Sequence, residues 1–291
     1  MDVAILSARR GWHTAELERA LCARGHRARV LPFDGLRARI GAAPRLSAGG
    51  VSLDDVDAVL VRIIPRGSLE QIIFRVDALH RLVRAGIPVL NPPSAIERTV
   101  DKYYTSSLLE EAGIPTPYTV VAERMDDALA AFRELGDVVV KPLFGSNGRG
   151  MVRISDEEIA YRVFRALELE GAIYYIQRAI PHEGRDIRAF VVGDRVVAAM
   201  WRCADHWCTN LARGARAEPA TLPPAWEELS LRAARAVGAE IAGVDLLPTA
   251  SGEVYVLEVN GIPGWRGLQQ TTSTDIADAI VAHLERRASG S

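Results

Sequence analysis

Cysteine is scarce: three in 291 residues, a small and odd number that excludes a disulfide framework and fits a reducing compartment. Long apolar runs are missing as well. The opening "MDVAILSARRGWH" has an apolar stretch too short for a secretory segment, and nothing later reaches membrane-spanning length, so a cytoplasmic protein without a membrane partner is expected. Charge of one sign is also lacking. The 35 Lys and Arg stand against 37 Asp and Glu, interspersed along the chain, for a net charge of −2, which gives no reason to expect a nucleic-acid partner. There is no GxxxxGK[ST] phosphate loop, no GxGxxG dinucleotide fingerprint, no GxSxG nucleophile elbow and no paired CxxC, and no internal repeat is visible.

What is present is a chain with 48% hydrophobic residues, long enough for two or more domains with ample core. The first region alternates strand and helix: "VAIL", "TAELERALCARG", "RARVLPF", "VDAVLVRII", "SLEQIIFRVDALHRLVRAG" and "IPVLN". That order predicts a parallel α/β sheet over residues 1–93. A turn at "NPPS", with Ser94 as a helix cap, leads to the helix "DKYYTSSLLEEAG". A compact α+β unit follows to residue 176, ending in the strand "AIYYIQRAI". Residues 177–288 read as mostly antiparallel, with a hairpin at Gly193-Asp194, two acidic strands and a closing helix; 289–291 read as a disordered tail.

Two constellations carry chemistry. In "VVVKPLFGSNGRG" the glycines Gly145, Gly148 and Gly150 lie between two strands, a flap whose backbone N–H groups can close over phosphates, or else an ordinary hairpin loop. Lys141 ends an apolar strand there and needs an anionic partner. In "VYVLEVNGIPGW", Glu258 and Asn260 sit two residues apart in an apolar strand, so they face one way, with Asp245 in "AGVDLL" as their companion. Oxygen ligands on neighbouring strands suit Mg²⁺; the plainer alternative is strand-end salt bridging.

Other residues weigh less alone. Lys102 opens a helix, where a cation is unfavourable without an anion nearby. Asp186 and Arg188 share a strand face and suit cross-strand ion pairing. Arg202, Asn210 and Arg213 cluster around the loop "RCADHWCTNLARGA", fit to bind carboxylate or phosphate oxygens. The same loop holds Cys203, His206 and Cys208, three zinc-capable side chains without paired-CxxC spacing or an obvious fourth ligand, which leaves pocket packing as the main reading and a metal-sensing loop as its rival. Arg9, Arg10, Trp12, His13, Arg62 and Arg66 follow N-terminal strands, where open α/β sheets place ligands.

Taken in order, Lys102 in "DK", "VVVKPLFGSNGRGM", "DIRAFVVGDRVVAAMWR", "TNLARGA", "AGVDLL" and "LEVNGIPGW" resemble the ATP-grasp superfamily and, within it, the RimK-type glutamate ligases, over nearly the whole chain. The resemblance implies an α/β and α+β fold in three parts: an N-terminal domain, a central lid, and a C-terminal domain, with ATP between the last two. It implies that Lys102 and Lys141 contact phosphates, that Gly145, Ser146, Asn147, Gly148 and Gly150 cover them, and that Gln177, Arg178, Ala179 and Ile180 form a hinge to adenine. Asp186, Arg188, Asn210 and Arg213 match nucleotide-side positions, with Arg188, Arg213 and Lys141 as catalytic candidates. Asp245, Glu258 and Asn260 match the ligands of Mg²⁺ or Mn²⁺, two ions. Arg62, Arg202 and Asn210 are substrate candidates.

The implied activity is an ATP-dependent carboxylate–amine ligation through an acyl phosphate, joining L-glutamate to a carboxylate acceptor. "NGIPGWRGLQ" is more similar to ligases acting on a tetrahydromethanopterin- or methanofuran-type cofactor than to those modifying a protein C-terminus. A ligase for another amino acid or acid, a non-catalytic nucleotide sensor, and a homo-oligomer all stay open. Two departures stand out: Cys208 where many relatives are basic, and Gln177-Arg178 where a Glu-Tyr-like pair is common.

Overall fold

The computed structural model describes residues 1–145 and 148–290. The N-terminal region comprises β1 (Asp2–Ser7), α1 (Trp12–Ala23), β2 (Arg27–Pro32), β3 (Leu36–Ala38), β4 (Leu46–Ala48), β5 (Val51–Ser52), β6 (Ala58–Val61), α2 (Leu69–Arg84) and β7 (Val89–Leu90). Its main sheet runs β2-β1-β6-β7 with every pairing parallel. The order reverses at β1, which opens a crevice beyond the carboxyl ends of β1 and β6. Strands β3, β4 and β5 form a separate antiparallel meander absent from the sequence reading; strands of two or three residues are too short for alternation to show.

The next elements are α3 (Pro93–Val100), α4 (Lys102–Glu111), β8 (Thr119–Ala122), α5 (Met125–Leu135), β9 (Val138–Lys141), β10 (Val152–Ile154), α6 (Glu157–Leu169) and β11 (Tyr174–Arg178). Helix α3 starts at Pro93, not at a Ser94 cap, because proline in the first turn needs no donor and presets φ. Asp101 caps α4, its carboxylate accepting the Tyr104 N–H at 3.0 Å, which makes Lys102 the first helical residue. The lid sheet β10-β9-β11-β8 is antiparallel. Val138, Val140, Tyr174 and Ile176 pack one of its faces against Phe132 of α5 and Phe164 of α6. By alternation, Val139, Lys141 and Gln177 occupy the other face. β11 carries Gln177 and Arg178 opposite Val139 and Val138, so these two residues belong to the lid sheet.

The chain ends with β12 (Arg185–Val192), β13 (Arg195–Cys203), β14 (Arg216–Pro219), α7 (Pro224–Ala236), β15 (Ile241–Pro248), β16 (Val254–Asn260), α8 (Arg266–Gln269) and α9 (Ile276–Ser289). Its sheet, β14-β13-β12-β15-β16, is antiparallel throughout. The expected hairpin is there, Val192 opposite Arg195. The last helix runs to Ser289, into the stretch read as a tail. Val3, Ile5 and Leu60 of the N-terminal sheet share a core with Phe190, Trp265 and Ile280. The buried Asn91 amide seals the joint: Nδ2 donates to the Ile241 and Gly261 carbonyls, and Oδ1 accepts the Glu240 and Ile241 N–H groups. Among the described residues, no helix is long and apolar enough to cross a membrane.

Candidate functional site

Between the lid sheet and the C-terminal sheet lies an open pocket. The lid supplies Val139, Lys141 and the segment Gln177 to Ile180; the opposite wall supplies Asp186, Arg202, Asp245, Leu247, Leu257 and Glu258. Lys102 and Asn210 also line it.

The floor is a chain of alternating charges set by strand register. Arg202 lies directly opposite Asp186, and Arg188 directly opposite Asp245. Arg202 donates through Nε to Asp186 at 2.7 Å and pairs through Nη2 with Asp245 at 3.0 Å. Arg188 donates through Nη2 to Asp245 at 2.9 Å, and its Nε also meets that carboxylate. Burial would raise the Asp245 pKa, but Arg188 and Arg202 outweigh it and hold the carboxyl below the usual range. Arg202 therefore belongs to the strand floor rather than to the loop with Asn210 and Arg213.

Glu258 stands directly opposite Asp245 across β15 and β16. Two carboxylates so placed repel unless a cation intervenes. Asp245 has its arginines, whereas half-buried Glu258 has no ion pair or hydrogen bond among the described residues. Asn260 donates through Nδ2 to the Gly243 carbonyl at 3.3 Å, leaving its oxygen available. A bulge pairs Leu246 with Val256 and skips Leu257, which places Leu257 beside Glu258 in the pocket wall.

Lys141, 9% exposed, donates to the side-chain oxygen of Gln177 at 2.6 Å. Gln177 is fixed in turn by donating to Thr119 Oγ1 at 3.0 Å and Tyr175 Oη at 3.3 Å. A neutral partner leaves the ammonium poorly compensated: burial lowers its pKa from 10.5 to about 8, against the pull of Glu258. The expected anion is thus not a protein carboxylate in contact. Lys102 reaches the glycine-rich segment, its ammonium donating to the Gly145 carbonyl at 2.9 Å. Gly148, at φ +66°, sits so close to the Asn210 amide that a Cβ would collide with it, and exposed Arg213 approaches the Gly148 carbonyl at 3.4 Å. Ser146 and Asn147 lie outside the described residues.

Several predicted residues are not brought together. Arg62 is buried elsewhere, over the Trp265 ring, and does not line this pocket. Cys208 donates its N–H to His206 and its thiol to Asn210, while burial and then Glu218 push the Cys203 thiol up on the far side. No group of three metal-capable His, Cys, Asp or Glu side chains converges among the described residues. Sequence reasoning missed His182, which lines the pocket with a buried Nδ1 lacking a partner and a pKa lowered by burial. Its only signal was its place just before "GRDIR". Arg178 lies over the Tyr118 ring at 5.4 Å, closing the hinge side.

Two family models match the chain, the RimK PreATP-grasp domain over residues 1–96 and the RimK-like ATP-grasp domain over residues 99–284. Among curated relatives, the tetrahydromethanopterin:alpha-L-glutamate ligase of Methanosarcina acetivorans is 35% identical, with 84% of each chain covered. A probable alpha-L-glutamate ligase of Cellvibrio japonicus is 35% identical over 99% of this chain and 96% of its own. Among solved structures, the ATP-grasp ligase PsnB, complexed with a phosphomimetic variant of its minimal precursor, Mg and ADP, superposes with a TM-score of 0.79 at 22% identity and 98% coverage of each chain. The three-part α/β and α+β architecture is the ATP-grasp fold. The chain belongs to the RimK-like ATP-grasp family and is an ATP-dependent carbon–nitrogen ligase.

Proposed function

We propose that this ligase joins the α-amino group of L-glutamate to a carboxylate of a small cofactor-type acceptor, with ATP in the pocket between lid and C-terminal sheet. The observation that carries the site is the pairing of opposites across that pocket: an uncompensated buried ammonium at Lys141 facing an unpartnered carboxylate at Glu258. A polyanion bound through a divalent cation satisfies both. The donor set fits Mg²⁺ or Mn²⁺, since Glu258 and the Asn260 oxygen are available and Asp245 lies directly opposite Glu258; two ions match a nucleotide with three phosphates. When bound, the metal supplies charge neutralisation for phosphoryl transfer.

The chain's own groups position and neutralise. Lys141 and Lys102 would face the phosphates, with Gln177, Arg178, Ala179 and Ile180 along the base; Gly145, Gly148 and Gly150 would be the cover, tied to the site by the Lys102 and Arg213 contacts to Gly145 and Gly148. Asp186 holds Arg202 in place and suits the nucleotide's polar sugar side. Arg188, half-buried beside Asp245, and Arg213 at the loop are the cations for the acyl phosphate, formed when the acceptor carboxylate takes the γ-phosphoryl group and consumed when the amine displaces phosphate. The names of both relatives support glutamate as the amine, and that of the Methanosarcina enzyme supports a pterin-type acceptor. The test is phosphate release from Mg-ATP with L-glutamate and a panel of acceptors, followed by product mass. Release that depends on Glu258 and Asn260, with a product heavier by one glutamyl unit, is the expected result; turnover unchanged in Glu258→Ala/Asn260→Ala would refute the site.

A further inference from the structure

Away from the nucleotide pocket, β6 ends at a guanidinium with no counter-charge. The Arg62 N–H donates to the Leu6 carbonyl at 2.9 Å, which fixes the residue at the carboxyl ends of β1 and β6, in the crevice where the sheet order reverses. Its Nη2 donates to the Pro263 carbonyl at 3.0 Å, and its Cζ lies 4.6 Å from the centroid of the Trp265 ring. No carboxylate pairs with it among the described residues, although it is only 7% exposed. Burial of this kind is costly without an anion.

Two buried donors here lack acceptors: Arg62 Nε and the indole Nε1 of Trp265. Both residues line one small cavity, with room for roughly one water-sized group. The Asn91 side chain is fully engaged, its oxygen accepting two N–H groups and its nitrogen donating to the Gly261 and Ile241 carbonyls. A water in the cavity could accept from both donors but would leave the buried guanidinium charge uncompensated. An anion has no such deficit. No counter-charge comes from His13 either: it accepts the Trp265 backbone N–H at 3.0 Å, and burial, then Arg62 and Arg266, lowers its pKa to about 4, so the imidazole is neutral.

We propose that this cavity is a monoanion site, taking a halide-sized ion or one end of a carboxylate between Arg62 Nε and the Trp265 indole N–H. The donors admit two sources, a free inorganic ion or a carboxylate of the acceptor; only the second rests on the ligase reading. Arg188 of the charged floor and Pro263, whose carbonyl accepts from Arg62, both crowd the space above Gly243.

The test uses sodium bromide as the probe. Crystals soaked in bromide are expected to show an anomalous peak between Arg62 and Trp265, and thermal unfolding should rise saturably with bromide or formate but not with sulfate at equal ionic strength. In Trp265→Phe, which keeps the ring and removes the donor, and in Arg62→Met, the bromide midpoint should move up at least tenfold. Displacement of the peak by glutarate assigns the site to a substrate carboxylate; retention of bromide assigns it to an inorganic ion. An empty cavity in the anomalous map, with identical salt responses in wild type and variants, overturns the proposal. Loss of the ligase reading would show separately, as absent phosphate release with the bromide titration intact.

Discussion

Nucleotide affinity should fall steeply in mildly alkaline solution because of Lys141. Burial sets its pKa at about 8 in the ligand-free protein, and bound phosphates would return it toward the ordinary 10.5. Below pH 8 the ammonium is already charged and affinity is flat. At pH 9 the free protein is about ten to one deprotonated, so binding must first restore the proton, at a cost of about 1.4 kcal/mol or tenfold in Kd. Calorimetric titration of a non-hydrolysable ATP analogue in two buffers of different ionisation enthalpy should count about half a proton taken up at pH 8 and nearly one at pH 9. Folding shows the mirror image. Because the folded pKa lies below the unfolded one, the burial penalty is present in full below pH 8 and is relieved as pH rises toward 10.5, a trend that Lys141→Met should abolish. Gln177→Glu would give the ammonium a charged partner in place of the amide it now meets, and should flatten the affinity profile. An affinity independent of pH from 7 to 9.5 in wild type, or an equal slope in Lys141→Met, would refute the reasoning.

Removing Arg202 as Arg202→Met strands the buried carboxylate of Asp186, leaves Asp245 with Arg188 alone, and should lower unfolding free energy by about 3–5 kcal/mol, read as the urea midpoint. Since the Asp245 pKa is depressed, the stability from its pairing is present above its ordinary 3.8 and is lost as pH falls below that; acid titration of wild type against Asp245→Asn checks the sign. Lys102→Met releases the Gly145 carbonyl, a loss of about 1 kcal/mol that should speed amide exchange around it about fivefold. Gly148→Ala places a side chain at φ +66° against Asn210; about 1 kcal/mol of backbone strain and a raised KM for ATP are expected, and an unchanged KM would argue against a role for that contact.

Period-two alternation was enough to put Glu258 and Asn260 on one face, and Asp245 does stand across from Glu258. The parallel first sheet, the antiparallel last one and the Gly193-Asp194 hairpin were equally legible, since each rests on local pattern. What local pattern lacks is the identity of the neighbouring strand. Arg202 read as a loop cation because its sequence neighbours are loop residues, yet register sets it between Asp186 and Asp245. The same gap hid Gln177 as the partner of Lys141, 36 positions away, and His182 as a wall of the pocket. Arg62 was legible as a residue at a strand end, but its burial against Trp265, some two hundred positions later, was not.

The Asn91 amide has a consequence for recombination between relatives. All four of its hydrogen-bonding valences go to the backbone of the C-terminal half, and the apolar side of the first sheet is completed by Trp265 and α9. The crossover point suggested by the chain order, near residue 93, would therefore cut through a shared core. A chimera exchanging only residues 1–93 would inherit a mismatched joint, whereas exchange of the lid alone, between α4 and β11, leaves that joint intact. Shuffling experiments should find the middle of this chain more portable than its beginning.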